Sequence, residues 1–322
     1  MQRLQFHPLL KRIRWGGTRL GSVLGKPVGP ESDYAESWEI VDHGDDQSIV
    51  AAGEYLGWTL ARLVAERGRE LFGSHRSDKQ FPLLVKFLDA ADRLSVQVHP
   101  NDEQAQRIDP RENGKTEAWV ILEVEPQSRL YAGLKQGVDR QRLQSAVENG
   151  TVEDCLHSFP VKPGDCVFIP AGTVHAIGEG ILLAEIQQSS DVTFRLDDWG
   201  RLGSDGKPRA LHVEQALACI DFERGPVDPV APKVISSSRH RLEELVACEY
   251  FVMRRHTSAS PFPFVAEDRL RVLMMLEGRA TIEGGGQSDQ FPRGQTVLLP
   301  AMVDETTIRP DGQVVVLEAF LP

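Results

Sequence analysis

The chain alternates short apolar runs with turn-forming residues along most of its length. Strand-like segments such as FPLLVKFLDA, EAWVILEV and GILLAEIQQ are separated by Gly, Pro, Asp and Asn. Helical periodicity is limited to residues 59–73, 139–150 and 213–221. Many short strands with few helices are typical of sandwiches and barrels. The sequence therefore predicts a fold dominated by β-structure and argues against a parallel doubly wound sheet.

An internal repeat constrains the fold further. Residues 162–177 (KPGDCVFIPAGTVHAI) resemble residues 292–307 (PRGQTVLLPAMVDETT), because in each a turn glycine is followed six positions later by a proline that closes an apolar strand. Upstream, residues 121–133 resemble residues 273–285 in the same order. Two copies in one order indicate two related β-domains.

The domain boundary is predicted in residues 223–234, a Pro-rich stretch without periodicity. It divides the chain into an N-terminal domain at 1–230 and a C-terminal domain at 231–322. In the first copy of the repeat, the pattern PGD…P.G..H is similar to the second motif of cupins, which are small jelly-roll barrels. This resemblance implies two jelly-roll (cupin) barrels with a few short helices.

The repeat also predicts which domain carries the chemistry. Aligned without gaps, Glu117 of the first copy falls on Arg269 of the second, and His175 falls on Glu305. No His-containing strand like residues 94–99 precedes the second copy. Because an arginine in place of a carboxylate repels a cation, we expect the C-terminal barrel to have a lumen without imidazole and to bind no metal.

The segment LSVQVHP (94–100) carries an amide and an imidazole on one face of a predicted strand. Gln97 and His99 are two residues apart, so they point the same way. For this pair alone, a hydrogen-bonded core histidine is the simpler interpretation. Glu117 at the entrance of the next strand and His175 after a Pro-Ala-Gly turn add a carboxylate and a second imidazole. This set suits Zn²⁺, and equally Fe²⁺ or Mn²⁺, so the ligand types leave the metal open.

Charge and cysteine content limit the partners and the compartment. A formal net charge of −11 over 322 residues argues against nucleic acid and anionic membranes as partners, but permits a small anion held by a few local cations. The four cysteines form no CxxC pair, and no apolar run reaches the length of a signal peptide core or a membrane span. We expect a cytoplasmic protein with free thiols. The sequence predicts no oligomeric state.

Several longer motifs are similar to a known family. The segments FPLLVKFLDAADRLSVQVHPND, GKTEAW, PAGTVHAIGEGILLAEIQQSSDVTFRLDDWGR and RIRWGG resemble type I mannose-6-phosphate isomerase, a zinc-dependent bicupin, in its short bacterial form. The resemblance is close over the N-terminal two-thirds and looser beyond. It implies one Zn²⁺ per chain, a phosphorylated sugar substrate, an active-site arginine at Arg195, and metal ligands at Gln97, His99, Glu117 and His175.

The implied reaction interconverts mannose 6-phosphate and fructose 6-phosphate through an enediolate. Arg195, on the polar face of its predicted strand with Asp191 as a possible partner, would stabilise the enediolate or bind phosphate. The base stays open between a water molecule, Lys115 and Lys86, whose pKa apolar neighbours would lower if the side chain is buried. The candidates for the phosphate site are Arg14, Lys115, Arg195 and Arg201.

Two other functions fit part of the pattern. Two histidines and one carboxylate also form the ferrous facial triad of oxygenases, so a non-haem iron cupin oxygenase is one alternative. Gln97 as a fourth donor, with Lys115 and Arg195 nearby, favours the isomerase over it. A non-catalytic sugar-binding or storage bicupin is the other alternative, and the many charged residues predicted in the first lumen argue against that function.

Overall fold

The N-terminal part of the chain forms a β-barrel from two facing sheets. The computed structural model describes residues 1–75, 80–202, 206–265 and 267–322. The first fifteen strands are β1 (Phe6–His7), β2 (Leu9–Gly17), β3 (Tyr34–Ile40), β4 (Asp42–His43), β5 (Asp46–Gln47), β6 (Ile49–Val50), β7 (Leu83–Ala90), β8 (Val96–Val98), β9 (Glu117–Val124), β10 (Arg129–Leu134), β11 (Leu156–Pro160), β12 (Cys166–Ile169), β13 (His175–Ile177), β14 (Ile181–Gln188) and β15 (Phe194–Asp197). A six-stranded sheet in the order β12-β9-β14-β7-β3-β2 faces a five-stranded sheet in the order β11-β10-β13-β8-β15.

A second barrel follows along the chain. Its strands are β16 (Lys233–Ser237), β17 (His240–Ala247), β18 (Val252–Ser258), β19 (Phe262–Phe264), β20 (Arg271–Glu277), β21 (Arg279–Gly284), β22 (Gln287–Pro292), β23 (Thr296–Leu299), β24 (Thr306–Pro310) and β25 (Val314–Phe320). They form a six-stranded sheet in the order β16-β17-β18-β25-β20-β23 and a four-stranded sheet in the order β19-β24-β21-β22. The predicted two-barrel fold dominated by β-structure is confirmed.

Helices are few and short, as the periodicity predicts. They are α1 (Arg19–Ser22), α2 (Leu60–Phe72), α3 (Asp102–Ile108), α4 (Arg140–Asn149), α5 (Val213–Cys219) and a 3-10 turn at Val152–Cys155. The three periodic segments correspond to α2, α4 and α5. Helix α3 was not predicted, although Asn101 and Gln104 form a capping box at its start. None of the helices among the described residues has the length and apolar character needed to cross a membrane.

The six-stranded sheet of the first barrel is covered on both faces. Alternate residues of β9 and β14, such as Trp119 and Leu183, pack in the lumen. The residues between them pack outward in a core shared with the second barrel, where Leu182 joins Met274 and Leu317. Strands buried on both faces read as continuous apolar runs, which explains FPLLVKFLDA and GILLAEIQQ. The second barrel therefore covers one side of the first with apolar side chains such as Met274 and Leu298.

Candidate metal centre and substrate cavity

Three polar side chains stand in one row across the five-stranded sheet. Gln97 of β8 pairs with His175 of β13 on one side and with Arg195 of β15 on the other. Residues paired directly across a sheet point to the same face. The strand β8 spans only Val96–Val98, and His99 follows it immediately. The pairing of β8 with β13 and β15 thus brings together Gln97, His175 and Arg195. Strand parity and the family resemblance had indicated these residues separately.

The facing sheet contributes a second group of charged residues. Glu117 begins β9, and Gln187 of β14 pairs with it. Two positions earlier on β14, Glu185 lies between Lys86 of β7 and Trp119 of β9. Trp119 and the residues Ile181 and Leu183 pack in the lumen, so parity places Glu185 there too.

His99, Glu117 and His175 form one buried cluster. Their donor atoms all lie within 4.8 Å of one another. Glu117 Oε2 is 3.5 Å from His99 Nε2, and Glu117 Oε1 is 3.3 Å from His175 Nε2. Glu117 Oε2 is buried without a hydrogen-bond partner. Lys115 Nζ brings one positive charge to within 3.1 Å of this oxygen, and the two imidazoles that face the carboxylate offer further ligand atoms, so the buried cluster fits a metal ion.

Both imidazoles are already oriented for ligation. His99 Nδ1 lies 2.9 Å from the carbonyl oxygen of Val192, and His175 Nδ1 lies 2.9 Å from that of Thr173. A carbonyl only accepts, so each Nδ1 carries the proton and each Nε2 presents a lone pair to the cluster. Burial lowers the pKa of His175 to about 4, and burial with the charge of Lys115 lowers the pKa of His99. Both rings are therefore neutral, which is the form that binds metal.

Gln97 completes the donor set through its amide. Its side-chain nitrogen lies 3.2 Å from His175 Nε2. The oxygen and nitrogen of an amide exchange places by a half-turn of the terminal bond. That rotation directs Oε1 at the cluster and gives two imidazoles, one carboxylate and one amide oxygen. Hard and borderline divalent ions accept such a set, and it does not distinguish among them.

Lys115 lies at the cluster of His99, Glu117 and His175. Its Nζ is 3.1 Å from Glu117 Oε2 and 3.2 Å from His99 Nε2. The backbone that carries it is fixed on both sides: Lys115 N donates to the carbonyl of Pro100, and Gly114 N donates to Asp102. Lys115 therefore presents a positive charge directly at the donor atoms.

The expectation that the pKa of Lys86 is lowered is wrong. Its side chain is buried, and burial alone would lower the pKa, but the charges of Glu36 and Glu185 outweigh it and raise the pKa. Lys86 Nζ lies 3.3 Å from Glu36, 3.8 Å from Glu185 and 4.7 Å from the centre of the Trp38 ring. The sequence neighbours of Lys86 are apolar, but they face the opposite side of the strand. The carboxylates around Lys86 therefore favour its ammonium form over the free amine.

Glu185 was missed by the sequence analysis. Burial, followed by the charge of Glu117, raises its pKa to about 7 despite the nearby Lys86. Its Oε1 is buried without a hydrogen-bond partner. A carboxylate of this pKa is suited to take up and release a proton near neutrality. One sequence feature could have indicated Glu185. It is the single acidic residue in the apolar segment GILLAEIQQ, just as Lys86 is the single lysine in FPLLVKFLD.

Arg195 lies in the row beside Gln97, but its predicted pairing with Asp191 is not formed. Arg195 Nη1 donates to the carbonyl of Ala210 over 2.8 Å, and its Nε is buried without a partner. Burial and the charge of Arg209 lower the pKa of Arg195. Arg209 itself donates two hydrogen bonds to Asp198. It was not predicted, because it reaches the site from a loop rather than from a strand.

One cavity of about 310 Å³ joins these groups. Pockets for small molecules begin at about this volume. Its polar lining is Glu36, Lys86, Ser95, Gln97, Lys115, Glu117, Glu185, Asp191, Thr193, Arg195 and Arg209. Two other predicted phosphate candidates, Arg14 and Arg201, line a separate cavity. The cavity at the cluster thus holds basic, acidic and metal-ligating groups within reach of one small molecule.

The second barrel differs from the prediction in three respects. Glu117 pairs with Ile169 and Arg271 pairs with Leu299, the equivalent residue of the repeat, so Arg271 and not Arg269 is the counterpart of Glu117. Glu305 is exposed and precedes β24, so it does not correspond to the buried His175.

The expectation of a lumen without imidazole is also wrong. His256 packs against Phe262 and Phe264 of the second core. It lies 3.0 Å from Glu318, and Glu318 pairs with Arg271 over 2.9 Å. A guanidinium therefore occupies the place of the metal-binding carboxylate. No His, Cys, Asp and Glu cluster with metal-binding geometry occurs in this barrel among the described residues.

Two cupin barrels, of which the first holds a buried His-Glu-His cluster beside a charged cavity, define a bicupin enzyme with one candidate metal centre. Residues 1–123 match the family described as phosphomannose isomerase type I, catalytic domain, and residues 241–318 match the mannose-6-phosphate isomerase cupin domain. The chain belongs to the type I mannose-6-phosphate isomerase family, as its motifs predicted.

Individual relatives agree with this assignment along the whole chain. The mannose-6-phosphate isomerase ManA of Bacillus subtilis (strain 168) is 35% identical over 302 residues, with 92% of each chain covered. The mannose-6-phosphate isomerase of Streptococcus mutans is 34% identical over 286 residues, covering 89% of this chain and 88% of the relative. A crystal structure of the mannose 6-phosphate isomerase from Bacillus subtilis superposes with a TM-score of 0.91 at 30% identity, covering 99% of both chains.

Proposed function

We propose that the chain is a zinc-dependent isomerase that interconverts mannose 6-phosphate and fructose 6-phosphate through an enediolate. The observation that carries the proposal is the buried cluster of His99, Glu117 and His175, in which both Nδ1 atoms are bound to backbone carbonyls. Family membership supplies the class of substrate. A single Zn²⁺ per chain, held by these three residues and Gln97, would polarise the C1 and C2 oxygens of the open-chain sugar.

Glu185 is the general base in this proposal. It lines the cavity, its Oε1 has no hydrogen-bond partner, and burial raises its pKa to about 7. Isomerisation requires one group to take the proton from C2 and return it to C1, and a carboxylate near neutrality performs both transfers. Lys86 holds Glu185 in place as an ammonium ion and acts as an electrostatic partner, so it is not the base.

Lys115 and Arg195 stabilise negative charge on the substrate oxygens. Lys115 Nζ lies beside Glu117 and His99, so a sugar oxygen at the cluster is within its reach. Arg195 stands next to Gln97 in the ladder and lines the same cavity, so its guanidinium charge lies near the substrate. Charge that develops on the enediolate is thereby met by fixed cations in a buried site, where such interactions are strongest.

Arg209 is assigned to the substrate phosphate. It lines the same cavity as Arg195, and Asp198 fixes its guanidinium by two hydrogen bonds. Arginine binds phosphate through two parallel hydrogen bonds, and a pre-oriented guanidinium loses little freedom on binding. The phosphate end of the substrate thus points away from the metal cluster, and the carbonyl end points toward it.

A cytoplasmic location completes the proposal. All four cysteines are free thiols, and three of them are buried, as in proteins of reducing compartments. The proposal also includes the division of the chain into two domains near residue 230. The catalytic residues all come from the first barrel, and the second barrel supplies cover.

The direct test is an assay of the purified full-length chain with mannose 6-phosphate, coupled to enzymatic detection of fructose 6-phosphate, with metal analysis of the same sample. We expect turnover together with about one zinc per chain. Chelator treatment should remove both, and added Zn²⁺ should restore both. Metal-free protein with full turnover would contradict the proposal. Oxygen consumption by an iron-loaded sample would favour the oxygenase instead.

A further inference from the structure

A second cavity lies beside the substrate cavity and has no role in the reaction above. Its volume is about 590 Å³, within the usual range for small-molecule pockets. The two cavities share no lining residue. Some of their lining residues are nonetheless neighbours in the sequence. Leu94 and Ile177 line the substrate cavity, and Arg93 and Gly178 line the second one.

The second cavity is strongly basic in a chain whose net charge is −11. Its charged lining consists of four arginines and two carboxylates, namely Arg14, Arg93, Arg129, Arg201, Asp92 and Glu179. Of the arginines, only Arg201 forms an ion pair with a carboxylate among the described residues. The other three guanidinium groups thus form no such ion pair, and the lining carries two more positive than negative side chains.

These arginines are held in position by uncharged groups. The Arg93 guanidinium lies over the Trp199 ring at 4.1 Å. Arg129 donates to the carbonyl and the hydroxyl of Ser158, and Arg14 donates to the carbonyl of Leu202. Such contacts fix the orientation of a guanidinium and leave its charge uncompensated.

Asp198 connects this cavity with the substrate cavity. It is buried and accepts hydrogen bonds from Arg201, which lines the second cavity, and from Arg209, which lines the first. An anion that competes for Arg201 leaves Asp198 to Arg209 alone. Arg209 is then bound more tightly to its carboxylate and is less available to the substrate phosphate.

We propose that the second cavity binds a small molecule bearing a phosphate group, and that its occupation lowers the affinity of the substrate cavity. Several guanidinium forks suit the multiple oxygens of phosphate. The limited volume of about 590 Å³ and the negative net charge argue against an extended polyanion. This site goes beyond the proposed function, whose phosphate contact is Arg209.

The proposal is tested by equilibrium dialysis of the zinc-loaded enzyme with radiolabelled inorganic phosphate at constant ionic strength. The native chain should bind two phosphates, one in each cavity. The double variant Arg93→Gln/Arg129→Gln should bind one, with affinity for the lost site reduced at least tenfold. Glu179→Gln removes a negative charge from the wall and should bind the second phosphate several-fold more tightly. A gain in affinity cannot be explained by a variant that fails to fold.

A matched control removes two arginines elsewhere. Arg279 and Arg309 are exposed and each pairs with one carboxylate of the second barrel, so Arg279→Gln/Arg309→Gln should still bind two phosphates. The coupling is measured through kinetics: the apparent KM should rise more steeply than linearly with phosphate in the native chain and linearly in Arg93→Gln/Arg129→Gln. One phosphate per native chain, or a linear dependence in the native chain, would overturn the proposal.

Discussion

Tyr250 of the second barrel donates a hydrogen bond to Asp102 of the first over 2.8 Å. The same carboxylate accepts from Gly114 N over 2.7 Å and from the side chain of Gln188 over 3.0 Å. Gly114 directly precedes Lys115, which lies beside His99 and Glu117. The second barrel thus contributes a hydrogen bond that helps to fix the loop carrying Lys115.

Removal of the Tyr250 hydroxyl should therefore lower the activity of the enzyme. We expect Tyr250→Phe to lose about 1–2 kcal/mol of stability and to lower kcat/KM roughly threefold or more, since the loop before Lys115 becomes less fixed. Zinc content should stay at the native value. The control is Tyr34→Phe, whose hydroxyl bonds to Gly29 N and Glu31. Identical kinetics of Tyr250→Phe and native enzyme would make the contact purely structural.

One metal ion should bind per chain, in the first barrel alone. His99→Ala should lose zinc and turnover together, because it removes one of few protein donors from a buried site. His256→Gln removes an imidazole from the second lumen, where Arg271 replaces the carboxylate, and should retain one zinc. Metal analysis after gel filtration measures both. A native content near two, reduced to one by His256→Gln, would contradict this assignment.

Substitutions of Arg195 and Arg209 should change different steady-state parameters. Arg195 lies beside Gln97 in the ladder, close to the metal cluster, so Arg195→Ala should lower kcat about a hundredfold with zinc unchanged. Arg209→Ala should mainly raise KM, because it removes binding that the ground state and transition state share. If Arg195→Ala raises KM and leaves kcat intact, Arg195 binds the phosphate instead.

Glu185 should be required for proton transfer at carbon. In D₂O the native enzyme should exchange the C2 proton of mannose 6-phosphate with solvent. Glu185→Gln should lose exchange and turnover by about 10²–10³-fold while keeping zinc. Glu123→Gln is the matched control, because Glu123 lies on the same sheet but pairs with Arg293 outside the cavity. Exchange at the native rate in Glu185→Gln would assign the base to another group.

Acid should weaken the second barrel through His240. Burial lowers the pKa of His240 to about 4, below the value of about 6.5 in an unfolded chain. Between these values the unfolded chain binds the proton more strongly, so stability falls as the pH decreases from about 6.5 to 4. His240→Gln should reduce that slope in Tm measurements, whereas His7→Gln, at an exposed position, should not. An unchanged slope would show that His240 is not responsible.

Local pattern predicted most of the elements, and it selected a set of candidate metal ligands that lie together. Turn residues and apolar runs marked the strands, and period-two parity together with motif resemblance selected Gln97, His99, Glu117 and His175, which the structure brings together. Parity tells which face of a strand a residue occupies. It does not tell which residues of other strands meet it there.

The errors follow from that limit. The pKa of Lys86 is raised because Glu36 and Glu185 reach it from neighbouring strands, whereas the prediction used only its own strand. Arg195 binds a loop carbonyl and not Asp191. The repeat alignment was two residues off upstream, since Arg271 pairs where Glu117 does. A shift of two keeps the same face of the strand, so the conclusion that an arginine replaces the carboxylate was unaffected.

The core shared by the two barrels restricts where the second barrel is free to vary. Its outward face, with Val272, Met274 and Leu317, packs against the catalytic sheet, so a polar substitution there would weaken both barrels. Its lumen holds a separate apolar core and accommodates a guanidinium and a histidine where the first lumen has the candidate metal ligands. The outer face of this barrel is therefore tied to the first barrel, whereas its lumen is packed independently of it. A change of side chains inside the second lumen should alter the stability of that barrel without altering the surface that it shares with the first.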